Sequence, residues 1–290
     1  MKKIVVIGAD GQLGTDLMLE TGKRDGVTGT GLTIEVLDIT DHEATKHKLT
    51  SLDPDVVINT AAYHRVDELE THMARAFEVN VEAVNNLARV CGDLDCALVH
   101  VSTDYVFGEP TGNHPHAEGD CPYPESIYAV SKLAGEYVIS PYCPKYFVIR
   151  ACGLYGHAGC MGKGGGNFVE TMLKLADSGK PLRVVNDQRL QPTFTRHFAE
   201  RLIDVVTTDR YGLYHITASG DCTWYEFAKA IFEIAGLSPD LSPATTDEYP
   251  TPAKRPPYSV LDNRALREAG FAELPHWREG LREYIEGRTA

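Results

Sequence analysis

The stretch Lys3-Ile4-Val5-Val6-Ile7-Gly8-Ala9-Asp10-Gly11-Gln12-Leu13-Gly14 decides how the chain is built. A β-branched apolar run of this kind is the composition of a strand buried on both faces. Three glycines at GxxGxxG spacing follow it, and Gln12 to Glu20 then carries Leu13 and Leu17 on one helical face. Strand, glycine turn and helix in that order suit a dinucleotide: one glycine permits the bend, one lets backbone N–H groups approach a pyrophosphate, and one lets the helix pack close on the strand. The helix dipole favours the anion there. Gly8, Gly11, Gln12, Leu13 and Gly14 are therefore candidate cofactor residues.

Outward from that turn the pattern repeats. Val27 to Thr30 reads as a strand ending at Gly31, Val56 to Asn59 as a buried strand, and Arg75 to Cys91 as a helix with Phe77, Val81, Val84 and Leu87 on its apolar face. Ala97 to Ser102 reads as another strand, Ser126 to Ile139 as a helix stopped before Pro141, and Tyr146 to Arg150 as a further strand. Such alternation builds an α/β fold, a Rossmann-type doubly wound parallel sheet with helices on both faces. Residues 1–150 are expected to form the dinucleotide-binding domain, and residues 151–290 a smaller substrate-binding α/β region, with the chain free to cross back between them.

In that second half the alternation weakens. A glycine-rich stretch runs from Gly156 to Gly166, then a helix from Asn167 to Ser178, a strand from Arg183 to Asn186 and the segment DQRLQPTF. Gly212 to Thr217 reads as a strand, Thr223 to Ala235 as a helix capped by Thr223, and Leu241 to Pro257 as a proline-punctuated loop holding Lys254 and Arg255.

The second strand ends at Gly31 without the carboxylate that holds ribose hydroxyls and repels a 2′-phosphate. NADPH is therefore expected to serve at least as well as NADH, with Lys23 or Arg24 near enough to help. Asp38, beside Ile39, either meets the adenine or caps the helix after Thr40. Asn59-Thr60-Ala61-Ala62-Tyr63 closes a strand with small residues, which suits close passage of a cofactor over the sheet edge. Asn80, polar on an apolar helical face, is expected to hydrogen-bond between helix and loop.

The chemistry is carried by Ser102-Thr103-Asp104-Tyr105-Val106-Phe107 at a strand end and by Tyr128-Ala129-Val130-Ser131-Lys132. Tyr128 and Lys132 are four apart and share a helical face, so the ammonium can lower the phenol pKa and reach a nicotinamide ribose. Thr103 can bind the same substrate oxygen as Tyr128. The trio then polarises a carbonyl while hydride arrives at carbon and Tyr128 delivers the proton.

Bulk properties narrow the partners. The 290 residues carry a formal net charge of −13 with 24% charged residues, which argues against nucleic acid or an anionic membrane as partner. The apolar run at the N-terminus is too short for a signal peptide, so a cytoplasmic protein is expected. Seven cysteines without CxxC pairs read as reduced thiols, and eleven histidines form no HExxH, so no metal is expected. Gly162-Lys163-Gly164-Gly165-Gly166 lacks the spacing of a phosphate loop and reads as a flap over the substrate or a plain loop.

Nearly the whole chain resembles the dTDP-4-dehydrorhamnose reductase family of extended short-chain dehydrogenases. The resemblance rests on GADGQLG, LDITD, NTAAYHRVDELE, VNVEAVNNLA, STDYVFG, YAVSKLAGE, GNFVETML, DQRLQPT, GLYHITASG and AKRPPYSVLDN. It implies NAD(P)H-dependent reduction of a 4-keto nucleotide deoxysugar. Tyr128 and Lys132 would be the catalytic pair, with Thr103 tuning proton transfer. Thr103, Asp104, Tyr128 and Asn167 would meet the sugar, and Gly11, Gln12 and Leu13 the pyrophosphate. Asp38 and Ile39 would meet the adenine, and Ala62, Tyr63 and His64 the nicotinamide side, with a homodimer as the family's assembly.

Arg255 either pairs with the substrate diphosphate or is a solvated surface residue. One departure stands out: where the family has a Trp in a segment like RTSWVYG, this chain has Gly153 within RACGLYG. Either Tyr155, Phe194 or the glycine stretch supplies that surface, or the sugar differs. The alternatives are a reductase or epimerase for another nucleotide sugar, and a cofactor-binding regulatory subunit similar to the methionine adenosyltransferase beta subunit.

Overall fold

The computed structural model describes residues 1–108, 114–159 and 166–288. Six parallel strands form the central sheet: β1 (Lys2–Ile7), β2 (Val27–Leu32), β3 (Val56–Asn59), β4 (Ala97–Thr103), β5 (Tyr146–Ala151) and β6 (Gly212–His215). Their order is β6-β5-β4-β3-β1-β2, the doubly wound arrangement. The two-residue period of each strand feeds two cores. Ile4, Val6, Val56, Ile58, Val99 and Ile149 face one side, against Leu13 and Leu17 of α1 (Gln12–Thr21). Val5, Ile7, Val57, Leu98 and Val148 face the other, against Leu49 of α2 (His42–Leu52) and Leu87 of α3 (Ala83–Asp93). Each fully buried aliphatic side chain stabilises the fold by about 1.5–3 kcal/mol.

Beyond β5 the chain builds a third core and then returns to the sheet. That core packs Val169 and Leu173 of α5 (Phe168–Ala176) and Phe227 and Ile231 of α7 (Trp224–Ala235), with Tyr155, Phe194, Trp277 and Tyr284. Between these pieces, α6 (Thr195–Val206) buries Phe198, Leu202 and Ile203 on the α1 side of the sheet, and β6 pairs with β5 from Gly212↔Phe147 to His215↔Arg150. Residues 195–216 are thus part of the nucleotide-side layer although they follow the substrate-side segments in sequence.

Three local expectations change. The helix expected over Arg75–Cys91 is a short α-helix Met73–Phe77, a π turn Glu78–Glu82, and α3. The π turn lies beside Asn80, whose amide clasps the next loop: Oδ1 accepts from Tyr63 N at 2.9 Å, and Nδ2 donates to Tyr63 O at 3.0 Å and to Ser131 Oγ at 3.0 Å. The strand expected to end at Thr30 runs on to Leu32, paired with Ile7. Within the expected 241–257 loop, Leu241–Ala244 is a strand paired to Leu182–Val185, because Pro243 lies on an edge where no donor is needed.

Candidate active site

The glycine turn is built by exclusion. Gly8 has φ +78°, and a Cβ there would stand 2.6 Å from Thr60 Oγ1. At Gly14 a Cβ would fall 2.0 Å from Gly8 O, so helix and turn can touch only through glycine. Gly31 lies beneath the same turn, where a Cβ would be 2.8 Å from the Ala9 Cβ. Gly11 caps α1 with no side chain across the amides, and the first turn of the helix holds no acidic residue. That geometry fits an anion such as a dinucleotide pyrophosphate.

The other cofactor-side residues divide into those with groups to offer and those already engaged. Leu13 and Ile39 are core residues at 6% and 4% exposure, leaving only their backbone for a ligand. Asp38 is exposed, and bonds from Thr40 N (2.9 Å) and Thr40 Oγ1 (2.7 Å) hold its carboxyl below the usual range. The cap of α2 is Asp41, accepting from Ala44 N at 2.9 Å, so Asp38 does not cap that helix. Ala61 N donates to Asn59 Oδ1 at 3.1 Å, His64 Nδ1 lies 3.1 Å from Ala62 O, and the Tyr63 hydroxyl donates to Glu68 at 3.0 Å. Lys23 and Arg24 are tied to Glu20, and Arg24 also to Asp204 of α6, so Arg24 serves the α1–α6 seam.

Strand β4 and helix α4 (Ile127–Tyr137, capped by Ser126) bring the chemical trio together. The Thr103 hydroxyl lies beside the Tyr128 phenol and donates to Asp104 Oδ1 at 3.1 Å. Tyr128 is half-buried, with Tyr105 edge-on at 5.7 Å. Burial, reinforced by Asp104, pushes the phenol up to about 12 against the Thr103 hydroxyl, which pulls it down. The ammonium expected to lower it turns elsewhere: Lys132 Nζ donates to Val101 O at 2.8 Å and sits 3.1 Å from His100 Nε2. Burial lowers Lys132 to about 8, with Glu136 opposing. Tyr128 is thus a protonated phenol at neutral pH, which is the form that donates.

A layer of buried polar groups supports this trio. Arg150 grips Glu136 bidentately, Nε to Oε1 at 3.0 Å and Nη2 to Oε2 at 2.7 Å, and Ser102 Oγ donates to Glu136 Oε1. Both partners are under 10% exposed, so removing one leaves an uncompensated buried charge, a loss of about 3–5 kcal/mol. Asp104 is buried too: burial raises its pKa, while bonds from Ser259, Cys152 and Thr103 offset the rise. The Cys152 thiol donates to Asp104 Oδ2 at 3.1 Å.

On the substrate side, Gly153 has φ +57° and backs onto Gln191 O, Leu190 and Pro192, each 3.1 Å from a hypothetical Cβ. The backbone here is shaped for glycine. Tyr155 and Phe194 are 2% and 1% exposed and belong to the third core, so neither offers a surface to a sugar. The glycine flap at 162–165 lies outside the described residues. Asn167 caps α5 and donates to Gln12 Oε1 (3.2 Å), Gly156 O (3.0 Å) and Tyr284 Oη (3.1 Å), while Gly156 N donates to Gln12 Oε1 at 2.9 Å. Gln12 therefore spends its side chain joining the cofactor turn to the substrate half. Arg255 pairs with Asp67 at 2.8 Å, and Asp67 also receives Ala253 N at 3.2 Å, so a diphosphate would compete with a carboxylate for this guanidinium.

Sequence reasoning missed His100, the Glu136–Arg150 pair and the Gln12–Asn167 tie. A usable signal for the first existed, since His100 interrupts an apolar strand on the face shared by Leu98 and Ser102.

Among the described residues no cluster of three or more His, Cys, Asp or Glu could hold a metal, and no helix is long and apolar enough to cross a membrane. The six described cysteines are free thiols. The model of the RmlD substrate binding domain family matches residues 1–289. The spore coat polysaccharide biosynthesis protein SpsK of Bacillus subtilis is 41% identical over 290 residues, covering 100% of this chain and 99% of that one. A dTDP-4-dehydrorhamnose reductase structure from Clostridium acetobutylicum superposes with TM-score 0.93 at 37% identity, covering 99% of this chain and 100% of that one. One from Bacillus anthracis, in complex with NADP, superposes with TM-score 0.91 at 33% identity over 99% and 100% of the two chains. A family model spanning nearly the whole chain, together with full-length relatives of this name, places the chain in the dTDP-4-dehydrorhamnose reductase family.

Proposed function

We propose that the protein is an NAD(P)H-dependent oxidoreductase that reduces the 4-keto group of a nucleotide deoxysugar, converting dTDP-4-dehydro-L-rhamnose to dTDP-L-rhamnose. The observation that carries this reading is the Thr103–Tyr128 pair, a hydroxyl beside a protonated phenol, at the same end of the sheet as an anion-fitting glycine turn. A reduced nicotinamide, when bound, supplies the hydride. Thr103 and Tyr128 then bind the keto oxygen, and the Tyr128 proton moves to that oxygen as it gains charge. In the free site the Thr103 hydroxyl gives its one proton to Asp104, which Cys152 holds, and it turns that proton to the keto oxygen when the substrate binds. Lys132, one helical turn beyond Tyr128, keeps one N–H beyond those given to Val101 O and His100, and this donor turns to the phenolate that proton transfer leaves. The backbone amides around Gly11 and Gln12 hold the pyrophosphate, Arg255 meets the sugar nucleotide by exchanging Asp67 for its diphosphate, and Asn167, whose amide is spent on Gln12, Gly156 and Tyr284, meets it only by shape.

Gly153 supports a second reading, in which the sugar is a different 4-keto nucleotide sugar, because no aromatic surface stands at that position. Absorbance of NADPH, and separately of NADH, followed with purified protein and enzymatically generated dTDP-4-dehydro-L-rhamnose tests both. Rapid oxidation, with NADPH at least as fast as NADH, is expected. Oxidation only with other members of a keto-sugar panel moves the assignment to the second reading, and no oxidation with any of them overturns both.

A further inference from the structure

His100 lies on β4, two residues before Ser102, with no exposed surface. A fully buried imidazole needs partners for its polar atoms. Its Nε2 is 3.1 Å from Lys132 Nζ, and the same nitrogen lies 3.4 Å from where a Cβ on Gly135 would be, so the ring edge is pressed into α4 one turn beyond the lysine. Its Nδ1 lies 3.5 Å from Asn59 Nδ2, a donor because Asn59 Oδ1 accepts from Ala61 N, so this contact, at the outer limit of a hydrogen bond, asks for the opposite tautomer to the one that the 3.1 Å contact with the lysine asks for. The shorter contact sets the tautomer: Nε2 accepts and Nδ1 carries the ring proton. Burial, with the Lys132 charge adding to it, keeps the ring neutral and fit to accept.

An ammonium has three donors in tetrahedral array. Val101 O takes one at 2.8 Å and His100 Nε2 a second, and both acceptors belong to one rigid strand. With one acceptor the head rotates about that bond. With two, the direction of the third N–H is fixed. We propose that His100 is a positioning residue for the reductase: its neutral Nε2 is the second anchor that fixes the Lys132 ammonium beneath Tyr128. This rests on the reading of Lys132 as part of the reducing site. The other groups facing Lys132 are Glu136 on its own helix, with Arg150 of β5 clamped on it, and Tyr128 one turn earlier.

The test is side-chain NMR of the full-length protein with isotope-labelled lysine, the Lys132 signal identified by its loss in Lys132→Met. Wild type is expected to titrate near 8. In His100→Leu the charged form loses an acceptor, so the midpoint should fall by about one unit. In His100→Gln an amide oxygen takes the place of Nε2, and the midpoint should return to the wild-type value or above. The basic limb of the pH profile of NADPH oxidation should move in parallel. A simple packing role would give slow variants with an unmoved midpoint, and that result overturns the inference. Should neither variant fold, nitrogen NMR of His100 in wild type decides instead: an unprotonated Nε2 supports the assignment and a protonated one overturns it. If the titration responds to His100 while no keto sugar is reduced, the functional reading fails and the lysine anchor stands. If reduction is robust and the midpoints coincide, only the anchor fails.

Discussion

At the turn between β1 and α1 the polar groups offered to a ligand are backbone amides, and the side chains that would crowd them are absent at Gly8, Gly11 and Gly14. Beneath Tyr128 the reverse holds, with Lys132, His100, Glu136, Arg150 and Asp104 all buried and each satisfied by another side chain or by Val101 O. Both regions present polar groups at the same end of one sheet. The first relies on conformational freedom, at a cost of roughly 0.5–1 kcal/mol of chain entropy per glycine. The second relies on complementary charges, where each loss exposes a partner. A backbone site tolerates change around it as long as space is kept, whereas a side-chain site is only as good as its weakest partner.

The largest expected effect separates the two regions by function. Tyr128→Phe removes one hydroxyl and leaves the glycine turn untouched. Turnover should drop about 10²–10⁴-fold, with NADPH affinity, read by fluorescence titration, near the wild-type value. Unchanged turnover would remove Tyr128 from the chemistry, and a collapse of cofactor affinity would show that the two regions are not independent.

Next in size is a stability effect that runs opposite to activity. Lys132 is depressed from 10.5 to about 8 in the folded protein, so below pH 8 the fold holds an ammonium it would rather release. That difference corresponds to about 3 kcal/mol of destabilisation, present in full below pH 8. Between pH 8 and the unfolded value near 10.5 the unfolded chain binds more protons, so stability rises with pH there. Lys132→Met should therefore unfold at higher urea than wild type at pH 7 while losing turnover, and its advantage should shrink between pH 8 and 10. A less stable variant at pH 7 would mean that the anchors on Val101 and His100 outweigh the desolvation.

The same contrast explains what could be read from the sequence. The strand–glycine–helix order, the alternation through Ala151 and the four-residue spacing of Tyr128 and Lys132 are local patterns, and each stands in the structure within a residue or two. Interactions between distant positions left no such trace. Lys132 meets His100 across 32 residues, Ser102 meets Glu136 across 34, and Asn167 meets Gln12 across 155. Neither the partner nor the direction of a buried polar side chain follows from periodicity. The π turn at Glu78–Glu82 was equally hidden, because the apolar spacing of Val81, Val84 and Leu87 suits an unbroken helix. The return of residues 195–216 to the sheet is a matter of topology, to which local composition is blind.

The smallest effects lie inside the turn, where two glycines of similar appearance differ in what surrounds them. A Cβ at Gly14 would stand 2.0 Å from Gly8 O and 2.7 Å from Ala9 Cα, both backbone atoms that cannot swing aside. Gly14→Ala must push α1 off the turn, an overpacking loss of about 1–3 kcal/mol, and should weaken NADPH binding with it. At Gly11 the backbone is extended, φ −76° and ψ 172°, which alanine adopts freely, and its Cβ would meet only Gly8 O at 3.3 Å. Gly11→Ala should cost about 0.5 kcal/mol as a poorer helix cap. A much larger loss at Gly11 that appears with cofactor must then come from the ligand, because in the free protein the methyl group asks Gly8 O to give by only a few tenths of an ångström. Measuring both variants by denaturant unfolding with and without NADPH separates these origins. Equal losses without cofactor would contradict the assigned packing, whereas a Gly11 defect that appears only with NADPH would locate the pyrophosphate against this residue.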